Sequence, residues 1–284
     1  MTNDLILTLS CKDRPGIVAA VAGFLADRGF SIRDSQQFGD EDSELFFIRV
    51  HAASEMPVEF DTLRAEFDTT IGSVLEASWA LHDPSVKHRL LLMVSRQGHC
   101  LNDLLHRVRT GSLAADVVAI VSNHEDFREL VEWHGIPFHH VPVTAESKDW
   151  AEDELRKLVA AYDADSVILA RYMQILSDSL CRDLAGRAIN IHHSLLPSFK
   201  GARPYYQAHA RGVKVIGATA HYVTADLDEG PIIEQDFIRV DHSKSAADLT
   251  AIGRDLEALA LARAVTAHTE HRVLMNGSRT VVFR

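Results

Sequence analysis

Beyond residue 85 the apolar runs are short, almost unbroken, and separated by stretches of helical period. Residues 90–94, 117–121 and 166–170 carry hardly a polar side chain between them. A strand with one wet face alternates, so runs like these need cover on both faces, which is the condition of a parallel sheet wound with helices. The intervening segments supply the cover. Leu101, Leu104, Leu105 and Val108 fall at i, i+3, i+4, i+7, and Leu155, Leu158, Val159 and Tyr162 repeat the stripe. A helix through Phe127, Leu130 and Val131 leads to an extended piece at 136–143. Further strands are expected at 188–192 and 218–223, then a helix with Leu249, Ile252, Leu256 and Leu259 facing inward. Asn276-Gly277 predicts a type I′ hairpin between 272–275 and 280–283.

The first 83 residues have a different rhythm. A strand at 5–9 precedes Asp13-Arg14-Pro15-Gly16, which opens a helix with Asp13 as N-cap and Ile17, Val21, Phe24 and Leu25 as its buried stripe. Strands at 31–37 and 45–51 flank a polar turn, a helix shows Phe60, Leu63, Phe67 and Ile71 on one face, and 74–81 reads as a fourth strand. The order βαββαβ is a ferredoxin-like split βαβ. His82-Asp83-Pro84-Ser85 is punctuation after a finished unit. The expected fold is therefore α/β, with a ferredoxin-like domain at 1–84 and a Rossmann-like, mostly parallel domain at 85–284; a chain of 284 residues suits two domains.

Composition removes several classes of function. Forty Asp and Glu against 29 Lys and Arg give a formal charge of -11, which opposes the dense basic footprint a nucleic acid needs. Cys11, Cys100 and Cys181 are too scattered for a disulfide framework or a CxxC site, which fits a reducing compartment. Among 16 histidines no compact ligand spacing with Cys or Asp occurs, so no metal or prosthetic group is expected. With no run approaching 18 apolar residues and no basic leader, no membrane partner is expected either, and the expected location is cytoplasmic.

The segment 188–192 departs from a plain buried strand. Asn190 and His192 lie two apart and share one face, while Ile189 and Ile191 fill the other. About thirty residues later comes His221-Tyr222-Val223-Thr224, running into the acidic loop Ala225-Asp226-Leu227-Asp228-Glu229-Gly230-Pro231. Asn190-Ile191-His192 with Ser194-Leu195-Leu196-Pro197 and this loop resembles the folate-dependent formyltransferase family, whose fold carries an Asn, His, Asp catalytic set. The resemblance implies catalytic roles for Asn190, His192 and Asp228, with Asp226 the rival carboxylate. Asn190 and a protonated His192 would donate to an oxyanion, and Asp228 would hold a water and support the imidazolium.

Residues 1–83 resemble an ACT regulatory domain, whose effector turn reads like Asp13-Arg14-Pro15-Gly16. The pairing of the two resembles those family members that hydrolyse 10-formyltetrahydrofolate to tetrahydrofolate and formate, regulating one-carbon pools and supplying formate for purine synthesis. His193-Ser194 and Lys200-Gly201-Ala202-Arg203-Pro204-Tyr205 carry the same likeness. It implies a folate pocket of Tyr172, Met173, Gln174, Ile175 and Leu176 with Ala225, Asp226, Leu227 and Gly230. It also implies a glycine or methionine effector and a homo-dimer or homo-tetramer. Members that formylate glycinamide ribonucleotide carry a Gly-Ser-Asn phosphate cradle where this chain has Ser95-Arg96-Gln97-Gly98-His99-Cys100. Formyl transfer to such an amine is thus the alternative, and an amino-acid or folate sensor without turnover is the reading from outside enzymology.

Overall fold

The structure, a computed structural model, describes residues 4–197 and 204–284, so the Lys200 to Arg203 part of the motif lies outside the described residues. The chain divides into two compact units, Met1–Lys87 with Glu270–Arg284, and His88–Thr269.

In the first unit β1 (Asp4–Lys12), α1 (Ile17–Ala26), β2 (Phe30–Asp40), β3 (Leu45–Ser54), α2 (Phe60–Phe67), a π-helical turn at Asp68–Gly72, α3 (Ser73–Leu75) and β4 (Ser78–His82) follow in the expected βαββαβ order. They form an antiparallel sheet in the order β2-β3-β1-β4. Leu5, Leu7 and Leu9 of β1 join Ile48 and Val50 of β3 under the helical stripe Ile17, Val21, Phe24 and Phe67. Two local expectations fail. The N-cap of α1 is Gly16 at φ 98 with no side-chain cap, since the left-handed turn starts the helix too late for Asp13 to reach it. Val74 and Leu75 are helical rather than extended, because Leu75 continues the stripe of Ile71 at i+4 and packs on the same core.

The hairpin β12 (Val273–Asn276) and β13 (Arg279–Val282) belongs to this unit, whereas the expected boundary at 84/85 assigned it to the second domain. Alternation along β3 gives the reason. Ile48 and Val50 face the helices, which leaves Phe47 and Arg49 on the other face. Leu274 and Phe283 cover Phe47, Arg49 donates to the Glu270 carbonyl at 3.1 Å, and Asp40 accepts from Asn276 and Arg279, each at 2.7 Å. Burying a phenylalanine is worth about 1.5–3 kcal/mol, enough to decide where a short hairpin docks. Its two-residue loop is Gly277-Ser278 with Gly277 at φ 61, not Asn276-Gly277; the type I′ turn would need a positive φ at both loop residues.

The second unit contains β5 (His88–Val94), α4 (His99–Thr110), β6 (Ala115–Ser122), α5 (Arg128–Trp133), β7 (Phe138–His140), α6 (Lys148–Ala161), β8 (Ser166–Leu169), α7 (Asp178–Asp183), β9 (Ala188–His192), α8 (Pro204–Ala210), β10 (Val215–Tyr222), β11 (Ile232–Arg239) and α9 (Ala246–Thr269). The sheet order is β11-β10-β9-β8-β5-β6-β7. Pairs from β9 through β7 are parallel, and β10 pairs antiparallel with β9 and β11. The chain thus leaves β5 toward one edge and returns to β8 on its other side. In such sheets ligands bind where the direction reverses, outside the carboxyl ends of the strands. Residues 95–99, 170–176 and 192–196 all emerge there.

Candidate active site

A cavity of about 530 Å³ opens at that place, with Asn190, His192 and Asp228 all on its wall. The alternation of β9 puts Asn190 and His192 on the same face, and the antiparallel register sets His221 of β10 directly across from Asn190. Asp228 arrives from the loop after β10 in the left-handed region, φ 58, a conformation Asp adopts more readily than most residues. Gly230 makes the loop possible, because a Cβ there would run into the Tyr222 carbonyl oxygen. The chain beyond His192 is pinned to β10 by Thr219, whose hydroxyl donates to Ser194 O at 2.8 Å and accepts from the Leu196 amide at 3.0 Å.

Asp228 Oδ1 lies 3.2 Å from His192 Nδ1 and 3.8 Å from His221 Nε2. The hydrogen bond from His192 is the largest influence on this carboxyl and holds it below the usual carboxylate range, against the opposing effect of partial burial. His192 Nδ1 therefore donates, and its Nε2 is a buried atom with no hydrogen-bond partner among the described residues. The tautomer of His221 follows from its neighbours. Its Nδ1 sits 2.9 Å from the Tyr222 carbonyl, which can only accept, so Nε2 is the lone pair that receives Asn190 Nδ2 at 3.2 Å. Burial lowers the pKa of His221, in keeping with a neutral ring. One amide proton of Asn190 is thereby committed and the amide plane fixed.

The folate residues expected by resemblance are divided by the geometry. Tyr172, Met173, Gln174, Ile175, Leu176, Ala225 and Leu227 line the cavity. Asp226 and Gly230 do not: Asp226 is exposed and its carbonyl closes a turn by accepting from Thr224 Oγ1 at 3.0 Å, while Gly230 serves the backbone. Residues 171–176 form an irregular loop rather than a helix start, since α7 begins only at Asp178, capped by Ser177. Met173 and Ile175 are 55% and 61% exposed, an apolar lip that a flat ring system could cover. Burial pushes the Tyr172 phenol up to about 12, so it stays protonated. In the first unit Asp13, Arg14, Pro15 and Gly16 form an exposed turn, with Arg14 Nη2 donating to the Val74 carbonyl at 3.0 Å.

Sequence reasoning missed a buried polar cluster on the cavity wall. Glu257, 1% exposed, accepts from His99 Nε2 and from the Tyr205 hydroxyl, each at 2.7 Å, and faces Arg171 Nε at 3.2 Å. Burial opposes its ionisation, but His99, Arg171 and Tyr205 outweigh that and keep its carboxyl below the usual range. Gly253, one turn earlier on α9, leaves the space that the Tyr205 ring fills. One signal was readable: a carboxylate beside Leu256 on the inward stripe of an amphipathic helix needs a partner. The donor atoms of His99, Cys100 and Glu257 also lie within 4.8 Å of one another, a grouping no local spacing could reveal. The Arg171 guanidinium already stands beside Glu257 as its counter-charge, and burial pushes the Cys100 thiol well up, so the chemistry of the set does not call for a metal.

A doubly wound sheet with Asn, His and Asp around a cavity at its switch point defines a class, and residues 88–265 match the family model described as formyl transferase. Residues 5–67 match that of the ACT domain. The formyltetrahydrofolate deformylase of Corynebacterium sp. (strain P-1) is 49% identical over 98% of both chains, and that of Bacillus subtilis is 44% identical over 98% of this chain and 93% of its own. The crystal structure of the Burkholderia mallei formyltetrahydrofolate deformylase, 51% identical, superposes with a TM-score of 0.95 over 99% of this chain and 100% of that one. A glycinamide ribonucleotide transformylase from Symbiobacterium toebii reaches a TM-score of 0.66 at 30% identity over 70% of this chain and 95% of its own. The chain belongs to the formyltetrahydrofolate deformylase family.

Proposed function

We propose that the protein hydrolyses 10-formyltetrahydrofolate to tetrahydrofolate and formate at the Asn190, His192, Asp228 site. The observation that carries this is the unpartnered Nε2 of His192, turned into use by an anionic Asp228 on the opposite nitrogen. In this reading Asp228 orients the ring and His192 acts as the base, where the sequence expectation had Asp228 hold the water and a protonated His192 donate to the oxyanion. His192 Nε2 takes a proton from water as the oxygen adds to the formyl carbon. Asn190 donates its remaining amide proton to the developing oxyanion, and His192 returns its proton to N10 as the carbon-nitrogen bond breaks. Gln174 and the 171–176 loop hold the pterin end, with Ala225 and Leu227 opposite. Incubation with 10-formyltetrahydrofolate and no acceptor should release formate, and adding glycinamide ribonucleotide should leave that rate unchanged. Release only with the amine present would overturn the reading.

The ACT unit supports finer proposals. Glycine or methionine binds at the exposed Asp13 to Gly16 turn and modulates turnover in a cytoplasmic homo-dimer or homo-tetramer, with formate supplied to purine synthesis. All three cysteines are free and buried, as suits a reducing compartment, and among the described residues no helix is long and apolar enough to cross a membrane. Calorimetry with each amino acid, alongside light scattering for the oligomer, tests these assignments. No heat and no rate change at millimolar levels would remove the effector role.

A further inference from the structure

Arg171 combines two features that are costly together: it is 7% exposed and its backbone is left-handed at φ 67. The turn is restrained on both sides. Its carbonyl accepts from the Ser95 amide at 3.2 Å, and Ser95 Oγ accepts from the Met173 amide at 2.9 Å while donating to Asn123 Oδ1 at 2.7 Å. What the strained turn achieves is the direction of the guanidinium. Nε faces Glu257 Oε2 at 3.2 Å, Nη2 donates to Gln97 Oε1 at 3.0 Å, and Nη1 lies 2.8 Å from His193 Nδ1.

A guanidinium offers only donors, so His193 Nδ1 must accept and the His193 proton resides on Nε2. The same ring stacks on His192, with centroids 4.9 Å apart and planes inclined by 22°. Resting on the hydrolytic reading above, we propose that Arg171, charge-balanced by Glu257, is a positioning residue for His192. It holds His193 as the neutral Nε2-H tautomer, whose flat face braces the His192 ring between Asp228 and the cavity. With Nδ1 of His193 occupied by the guanidinium, the proton taken up during turnover stays on His192 rather than passing to its neighbour. The turn at 95–100, which has no Gly-Ser-Asn cradle, contributes Gln97 and His99 to this brace instead.

The test separates positioning from stability. Arg171→Gly fits the φ of 67 without strain but leaves Glu257 short of its counter-charge, so both Tm and kcat should fall. The double variant Arg171→Gly/Glu257→Gln removes both charges. Its Tm should recover, its KM for 10-formyltetrahydrofolate should stay within about threefold, and its kcat should remain about tenfold or more below that of the unaltered chain. In 15N-histidine spectra His193 should show the Nε2-H pattern in the unaltered chain and lose it in the double variant. Recovery of kcat together with Tm, or an Nδ1-H His193 in the unaltered chain, would overturn the proposal. If the unaltered chain releases no formate, the hydrolytic reading fails instead, and the His193 tautomer still decides whether the brace exists.

Discussion

His192 and His268 both sit among polar partners inside the second unit, but the partners differ in kind. His268 lies between two hydroxyls, Tyr222 and Ser166, each at 2.8 Å, and His88 approaches the same serine at 2.9 Å. Both ring nitrogens are satisfied, and among the described residues no carboxylate bonds to the ring. Burial, then the nearby His88, lower its pKa to about 4. His192 instead has a carboxylate on one nitrogen and, among the described residues, no partner on the other. A closed hydroxyl chain stabilises a neutral imidazole and uses it as packing. A carboxylate on one side with a bare nitrogen on the other leaves the ring able to accept and return a proton. Burial alone does not separate the two; the inventory of partners does.

The comparison breaks most decisively at Asp228. Asp228→Asn should lower turnover by about a thousandfold or more while leaving folate binding and the fold intact, because a neutral amide does not stabilise the imidazolium and its NH2 can donate to Nδ1, which favours the wrong tautomer. Near-normal formate release from that variant would remove the distinction between the clusters. Asn190→Ala should cost about a hundredfold to a thousandfold in kcat, the usual loss for one oxyanion donor, with little change in KM. A large rise in KM with kcat preserved would make Asn190 a binding group only.

The His268 cluster should reveal itself in stability rather than rate. A histidine whose folded pKa is depressed gives stability that is complete above its unfolded pKa, near 6.5, and lost as pH falls toward about 4, since only the unfolded chain takes up the proton. Integrated over that window the loss is roughly 2–3 kcal/mol. Denaturant titrations should show it, and His268→Gln should flatten the dependence while leaving neutral-pH turnover within about twofold. An unchanged acid slope in the variant would assign the loss to other groups. The smallest effect is expected at Asp226, exposed and outside the cavity wall: Asp226→Asn should change kcat/KM by less than about threefold, and a loss matching that of Asp228→Asn would reverse the assignment of the two carboxylates.

Much of this was readable before the structure because it rests on short periods. Alternation placed Asn190 and His192 on one face, and the loop sequence around Asp228 sits next to the strand that delivers it. The near-continuous apolar runs gave the parallel strands for the same reason. What escaped the reading is settled by distant partners. Arg171 and Glu257 meet only because the loop after β8 turns its guanidinium toward α9, and nothing near Arg171 in sequence announces a buried carboxylate. The edge strand β11 escaped because its charged and exposed residues, with Phe237 62% exposed, break the pattern of a covered strand. The hairpin was visible as a hairpin, but its allegiance depended on which face of β3 lacked cover, information carried by Phe47 and Arg49 more than two hundred residues away.

That allegiance matters during synthesis. Because residues 270–284 finish the first unit, its sheet emerges from the ribosome early but waits, with Phe47 uncovered, until the whole of the second unit has been translated. The second unit is in effect an insertion, free to fold vectorially while its host remains incomplete. A nonsense codon near position 270 would therefore spare every residue of the cavity and injure the ACT unit. Shortened chains of that kind would be expected to keep the cavity yet expose an aromatic patch for chaperones to hold.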